Sequence, residues 1–318
     1  MHRFKKILMI ATGATTDALT LKRVTRLAKN NDARVTVLDV IPALPNDSKK
    51  LFEFATPSKL QDLLTSQRLG ELGKFASSIE KAGIEVGTKV LIGTEFVEII
   101  REILRHGHDL VVKAAEGRGG QNKMLFGSTD LHLMRECPCA VWIIKPSKTK
   151  KSLRILAAVD PDPSGGENKL LNKTIMELAT SLTELENSEL HIVHTWVLYS
   201  EPLLRLLVGK VDKLARDTRK THRKWLDDLL DSYAIPHRKR RVHLVQGSSR
   251  DVIPALAMKQ RVELIVMGTA ARTGLPQFLI GNTAEDVLNQ VDCSVLTVKP
   301  QGFVSPVTVE ESTKPSPA

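Results

Sequence analysis

Residues 110–146, LVVKAAEGRGGQNKMLFGSTDLHLMRECPCAVWIIKP, lie without a gap on residues 264–300, LIVMGTAARTGLPQFLIGNTAEDVLNQVDCSVLTVKP. Leu125 falls on Leu279, Gly127 on Gly281, Thr129 on Thr283 and Cys139 on Cys293, each displaced by 154 residues, and the two Lys-Pro endings coincide. Upstream, VLIGTEFVEII meets LVQGSSRDVIP at the same displacement. With small loop differences KKILMIAT meets LRILAAVD, and RVTRLAKN meets KTIMELAT in its apolar spacing. A unit of about 150 residues is a whole domain by size, not an element of a solenoid. The chain is one domain written twice, over residues 1–148 and 152–301, with the basic linker KPSKTKKSLR between the copies. Residues 302–318, rich in Pro, Ser, Thr and Glu and without a helical period, read as a flexible tail.

Within each copy short apolar runs alternate with helical periods. In the second, residues 153–159 read as a strand, and Leu171, Ile175, Leu178, Ala179 and Leu182 mark one helix face at spacings of three and four. LHIVHTWV is the next strand, a long amphipathic helix runs to Tyr233, and RVHLVQ, DVIPALAMKQ and ELIVMG read as strand, helix, strand. NTAEDVLNQ and SVLTVKP close the copy as helix and strand, and Pro254 is placed early in its helix, where a missing N–H is tolerated. Such alternation calls for a parallel sheet covered by helices on both faces. Aromatic residues make up only 4% of the chain, so the cores are built from Leu, Ile, Val and Ala, which suits buried parallel strands.

The formal net charge of +10 attracts polyanions in general without selecting one. No run of 18 apolar residues is present, and MHRFKKILMIATGATTD lacks the long apolar core of a signal peptide, so a cytoplasmic protein without a transmembrane segment is expected. Cys137, Cys139 and Cys293 are too few for a disulfide framework, and CPC is not the CxxC spacing, so reduced buried thiols are expected.

The two copies resemble the universal stress protein family, and the tandem arrangement with MGTAARTG and GNTAE resembles its two-domain, UspE-type branch over roughly residues 4–300. The resemblance implies two Rossmann-like (adenine nucleotide alpha hydrolase-like) α/β domains. Each would hold a five-stranded parallel sheet in the order 3-2-1-4-5, and the last strands of the two would pair as an internal pseudo-dimer. It further implies a nucleotide pocket at the carboxyl ends of the first and fourth strands, lined by GxxG, a spacer, and Gly followed by Ser or Thr, with an Asp closing the first strand. The chemistry is sound independently of the name. Open α/β sheets bind ligands where strand order reverses, and glycines with a following helix start bring backbone N–H groups to phosphate.

In the second copy the nucleotide candidates are Asp160, Gly268, Thr269, Ala271, Arg272, Gly281, Asn282, Thr283 and Ala284, with Ala271 standing where the second glycine belongs. In the first they are Gly117, Gly127, Ser128 and Thr129. There Ala114 replaces the first glycine, Thr12 replaces the strand-closing Asp, and Asp130 and Glu116 add charge expected to repel phosphate. The second copy is the better pocket, for ATP or a related adenine nucleotide, with magnesium if bound.

No other cluster compels catalysis or metal binding. In HGHD, Gly107 fits a helix end and Asp109 the start of a strand. His191 and His194, three apart on a strand, point to opposite faces. The run HRKRR opens the third strand, a sheet edge in the order that the resemblance implies and one that charge would protect, and without interleaved aromatics it does not read as a nucleic-acid site. The expected function is a stress-response binding or signalling module with at most slow ATP hydrolysis. Internal pairing of the two domains is expected, and a homodimer is compatible. The alternative is a nucleotide-free scaffold, or a carrier of an apolar ligand in a cleft near Leu203, Leu204, Leu206, Leu207 and Val208. An enzyme of the ATP-pyrophosphatase or electron-transfer-flavoprotein type has no signature here beyond the fold.

Overall fold

The computed structural model describes residues 3–14, 18–44, 56–116, 126–146, 153–163, 166–198, 211–233, 235, 240–269 and 282–309. In the first repeat the elements run β1 (Lys6–Ile10), α1 (Ala18–Asn31), β2 (Arg34–Ile41), α2 (Pro57–Glu80), β3 (Val86–Ile92), α3 (Glu95–His106), β4 (Leu110–Ala114), α4 (Ser128–Glu136) and β5 (Ala140–Ile144). The second repeats the pattern as β6 (Arg154–Ala158), α5 (Gly166–Leu185), β7 (Glu189–Trp196), α6 (Val211–Leu230), β8 (Arg240–Gln246), α7 (Ser249–Gln260), β9 (Leu264–Gly268), α8 (Asn282–Leu288) and β10 (Ser294–Val298). Strand order is β3-β2-β1-β4-β5 in one repeat and β8-β7-β6-β9-β10 in the other, as the resemblance implied. The pairs β1–β2, β1–β4, β2–β3, β6–β7, β6–β9, β7–β8 and β9–β10 are all parallel. By contacts the chain forms two units, one of Met1–Ala114, Ser128–Val141 and Val304–Ala318, the other of Ala115–Gly127 and Trp142–Phe303.

The central strands are continuous apolar runs because both of their faces are covered. Ile7, Leu8, Met9, Leu110, Val111 and Val112 have no exposed surface, nor do Ile155, Leu156, Leu264, Ile265 and Val266. The edge strands β3 and β8 are half-exposed and carry charge, and Arg241 on β8 reaches Glu189 on β7 at 2.8 Å. Residues 237–239 of the basic run lie outside the described residues.

Local signals fix the element ends. Thr56 caps α2 by accepting from the Lys59 N–H, and Pro57 opens the helix. Gly107 ends α3 in the left-handed region, φ 65°, with its N–H on the Ile103 carbonyl. Asp109 accepts from the N–H groups of Lys5 and Lys6, so HGHD closes a helix and ties β1 to β4. Gly93 and Gly247, displaced by 154 residues, both take positive φ (148° and 138°), and a Cβ at either would come within 2.9 Å of Glu98 or Val252.

Pro254 departs from its expected place. The helix starts at Ser249 after the N-cap Ser248, which puts Pro254 in its interior. The carbonyl of Arg250, four residues earlier, loses its helical donor and instead accepts from Gln290 Nε2 at 3.2 Å. Of the C-terminal segment, residues 302–309 are described: Ser305 is buried and the Thr308 carbonyl accepts from Arg101 Nε at 3.3 Å.

Glu102 of α3 anchors the edge strand β3. It is buried, takes Lys89 Nζ at 2.6 Å, and has His106 Nδ1 at 3.1 Å and His108 Nε2 at 3.7 Å. Burial alone would raise its pKa, but the nearby His108 imidazole, the hydrogen bond from Lys89 and the charges of Lys89 and His106 outweigh it and draw the carboxyl down to about 2. A depressed pKa contributes stability that is present above the ordinary value and lost as pH falls through the folded value. Acid unfolding monitored by circular dichroism is therefore expected to show wild type losing on the order of 2–3 kcal/mol between about pH 4.5 and pH 2 through this group, and Glu102→Gln to lack that limb.

Candidate functional site

At the reversal of strand order in the second repeat, β6 and β9 run side by side and end together. Asp160 follows β6. Its N–H donates to Asn172 Oδ1 at 2.9 Å, and Asn172 Nδ2 donates back to its carbonyl at 2.6 Å. Asn168 Nδ2 lies 3.4 Å from one carboxylate oxygen and His194 Nδ1 lies 3.9 Å from the other, leaving the side chain about a quarter exposed. Asn168 and Asn172 stand one turn apart on α5, so one helix face holds the end of the strand.

His194 carries the network onward to α6. Its Nδ1 lies 3.3 Å from the Val159 carbonyl and its Nε2 lies 2.8 Å from His222 Nδ1. Since a carbonyl only accepts, the neutral pair has its proton on His194 Nδ1, and His222 Nδ1–H donates to His194 Nε2. Trp225 meets His222 edge-on at 4.7 Å between ring centroids. His191, on the opposite face of β7, pairs instead with His243, with Nδ1 and Nε2 at 3.0 Å and the rings stacked. Burial lowers the pKa of both His191 and His243, which suits two neutral imidazoles sharing a hydrogen bond. The sequence assigned the two faces correctly but did not reveal either partner.

Across the crevice, Gly268 ends β9 with Leu171 pressed against it. A Cβ there would lie 2.6 Å from Leu171 Cδ2, so packing by α5 favours glycine at this position unless the Leu171 side chain shifts. Thr269 is buried and accepts from Lys299 Nζ at 2.7 Å, which places a cation beside the start of the glycine loop. The counterpart Lys145 lies with its Nζ 4.0 Å from the centre of the Phe126 ring. Asn282 opens α8, Thr283 is exposed and Ala284 is buried. Ala271, Arg272 and Gly281 lie outside the described residues, as do Gly117 and the apolar residues at 203–208.

The first repeat has filled the same place with its own carboxylate. Glu95, at the start of α3, accepts from Thr12 Oγ1 at 2.7 Å and from Thr129 Oγ1 at 3.0 Å. Thr12 and Thr129 are the positions of the strand-closing Asp and of the motif threonine, and one internal anion bridges them. Glu95 corresponds to Ser249, which is hydrogen-bonded to Thr195 on the far side of β7. Gly127 and Ser128 precede Thr129 at the same helix start.

Asp130 requires a correction. Its side chain is fully buried and faces Lys113 Nζ at 3.0 Å, itself only 1% exposed, so its charge is neutralised in the core and does not repel an anion in the loop. At the corresponding positions the second repeat has Met267 and Ala284. The pair was missed because Lys113 lies on a strand and its partner on a helix 17 residues later.

A profile of the universal stress protein family matches residues 3–145 and again residues 152–299. The chain belongs to the universal stress protein family. It is 27% identical over 316 residues to a universal stress protein E of Photorhabdus laumondii, covering 96% of this chain and 98% of that protein. It is 29% identical over 249 residues to the universal stress protein E of Escherichia coli K12, covering 77% and 78%. A solved protein of Pseudomonas aeruginosa PAO1 has a similar fold, with a TM-score of 0.72 at 24% identity over 95% of both chains. So does a universal stress protein of Archaeoglobus fulgidus, with a TM-score of 0.59 at 19% identity over 92% of this chain and 98% of that one.

Two stability measurements check these packing assignments in this universal stress protein. Gly268→Ala is expected to cost about 1–3 kcal/mol in urea unfolding, and Leu171→Ala in the same chain to recover part of the loss, giving a coupled double-mutant cycle. Lys113→Met alone is expected to cost about 3–5 kcal/mol by stranding Asp130, whereas Lys113→Met with Asp130→Ala, the second repeat's own pair, restores most of it.

Proposed function

We propose that this universal stress protein is a stress-response binding module that takes one adenine nucleotide per chain, in the second repeat, and does not turn it over rapidly. The observation that supports this reading is the contrast between the two crevices. Glu95 occupies the first, while in the second Asp160 stays partly exposed and Lys299 supplies positive charge next to Thr269.

The residues present fit such a ligand. Asp160 is fixed by its backbone to Asn172, so its carboxylate is held ready for hydroxyl or amino donors at the base and ribose end. Thr283, with Asn282 and the glycine loop that precedes them, would hold the phosphates, and Lys299 would offset their charge. Magnesium would accompany the phosphates as their counterion. The module is placed in the cytoplasm on this reading; among the described residues no helix is long and apolar enough to cross a membrane.

Titration calorimetry with ATP and magnesium tests the reading. Wild type is expected to bind with a stoichiometry of one. Thr283→Glu, at an exposed position where the fold is expected to tolerate it, is expected to weaken binding by at least about tenfold, roughly 1.4 kcal/mol, as is Asp160→Ala. A flat titration at millimolar ATP would overturn the reading in favour of the nucleotide-free scaffold or the apolar-ligand carrier.

A further inference from the structure

The loop between α4 and β5 reads Cys137-Pro138-Cys139, and the structure brings its two sulfurs within 3.4 Å of each other. Cys137 is fully buried and closes α4, its N–H on the Leu133 carbonyl at 3.0 Å. Cys139 is partly exposed, and its Sγ lies 3.5 Å from the Ala140 carbonyl. The second repeat keeps only one of the two thiols: Cys139 corresponds to Cys293, whereas Cys137 corresponds to Val291.

We propose that Cys137 and Cys139 form a thiol modification site that closes to a disulfide within the loop by exchange with a low-molecular-weight disulfide such as oxidised glutathione. Cys139 gives its proton to solvent and its thiolate attacks one glutathione sulfur, breaking that S–S bond and releasing one glutathione thiolate. Cys137 then loses its proton and attacks the Cys139 sulfur, which releases the second glutathione thiolate. Two protein thiols are oxidised to one disulfide and one glutathione disulfide is reduced to two glutathiones, which take up the two protons. The sulfurs have only to close from van der Waals contact to a bond of about 2.05 Å. The hydrogen bond to Cys137, burial and the negative charge of Asp109 push the Cys139 thiol above its ordinary range, so exchange is slow at neutral pH and accelerates as pH rises. A two-residue spacing strains the bond, so it is reduced more easily than a structural disulfide and the reaction is reversible. The site lies at one end of α4, and Thr129, which holds Glu95, lies at the other.

The test equilibrates the full chain in glutathione buffers of increasing oxidised fraction, quenches with acid, alkylates in denaturant and weighs the intact protein. At the oxidising end wild type is expected to lose two hydrogens and to protect two of its three thiols. Cys137→Ser is expected to stop at a mixed disulfide one glutathione heavier, and Cys139→Ser to protect none. Cys293, whose thiol burial holds at about 12, is expected to be alkylated throughout. A Cys293→Ser chain must still close the loop, and it keeps the test valid if either loop variant misfolds. Accumulation of the mixed disulfide alone in wild type overturns the proposal, as does complete alkylation at the highest oxidised fraction or protection that needs Cys293.

Discussion

A parallel sheet whose strand order reverses at its centre leaves two neighbouring strands ending together with nothing of the sheet beyond them, and the polar groups there need partners. Each repeat meets this constraint differently. In the first, Glu95 comes from the start of α3 to take the hydroxyls of Thr12 and Thr129. In the second, α5 does it from the other side, where Asn172 pairs both backbone groups of Asp160 and leaves its carboxylate facing partly outward. A carboxylate held by two hydroxyls resembles a bound anion, and a phosphate would have to displace it while meeting its charge.

The two copies have diverged in matched pairs, as expected where a charge is buried. Lys113 with Asp130 becomes Met267 with Ala284, and Lys89 with Glu102 becomes His243 with Leu256. Asp39 of β2 is buried and lies 3.6 Å from Arg68 of α2. The helix register that lays Leu72 and Ala76 on Leu226 and Leu230 lays Arg68 on His222, and the strand register lays Asp39 on His194. An ion pair in one repeat is a pair of imidazoles in the other. Changing one member alone would leave a buried charge without its partner, which costs more than replacing both.

The sequence disclosed what depends on local pattern. The duplication, the glycine that ends α3 and the opposite faces of His191 and His194 follow from spacing and backbone preference, whereas the strand order came with the family resemblance. It misplaced what depends on contacts across elements. Asp130 read as a loop charge because its partner lies on β4. Pro254 read as an early helix residue because the helix begins at Ser249, two residues before the apolar pattern at Asp251, and the orphaned carbonyl is met by Gln290, far along the chain. Glu95 gave no signal at all, since an acidic residue in a first helical turn is ordinary. Comparing the copies position by position would have found it, because its counterpart is Ser249.

Duplication in one chain changes what such substitutions can do. In a domain that pairs with an identical copy, a residue like Glu95 would stand in both sites at once, and any gain in packing would cost every pocket the assembly has. Written in tandem, the copies mutate separately. The first repeat combines the internal carboxylate, the buried ion pair and the two adjacent thiols, and the second keeps the strand-closing Asp with a lysine beside its glycine loop. The features that differ lie at the ends of the central strands and of the helix that follows the fourth strand, and in the ion pairs that tie β2 and β3 to α2 and α3, while the buried apolar strands beneath remain alike. The common fold supplies the scaffold, and on the proposed reading a few polar residues at the carboxyl ends of its strands set what each copy would bind.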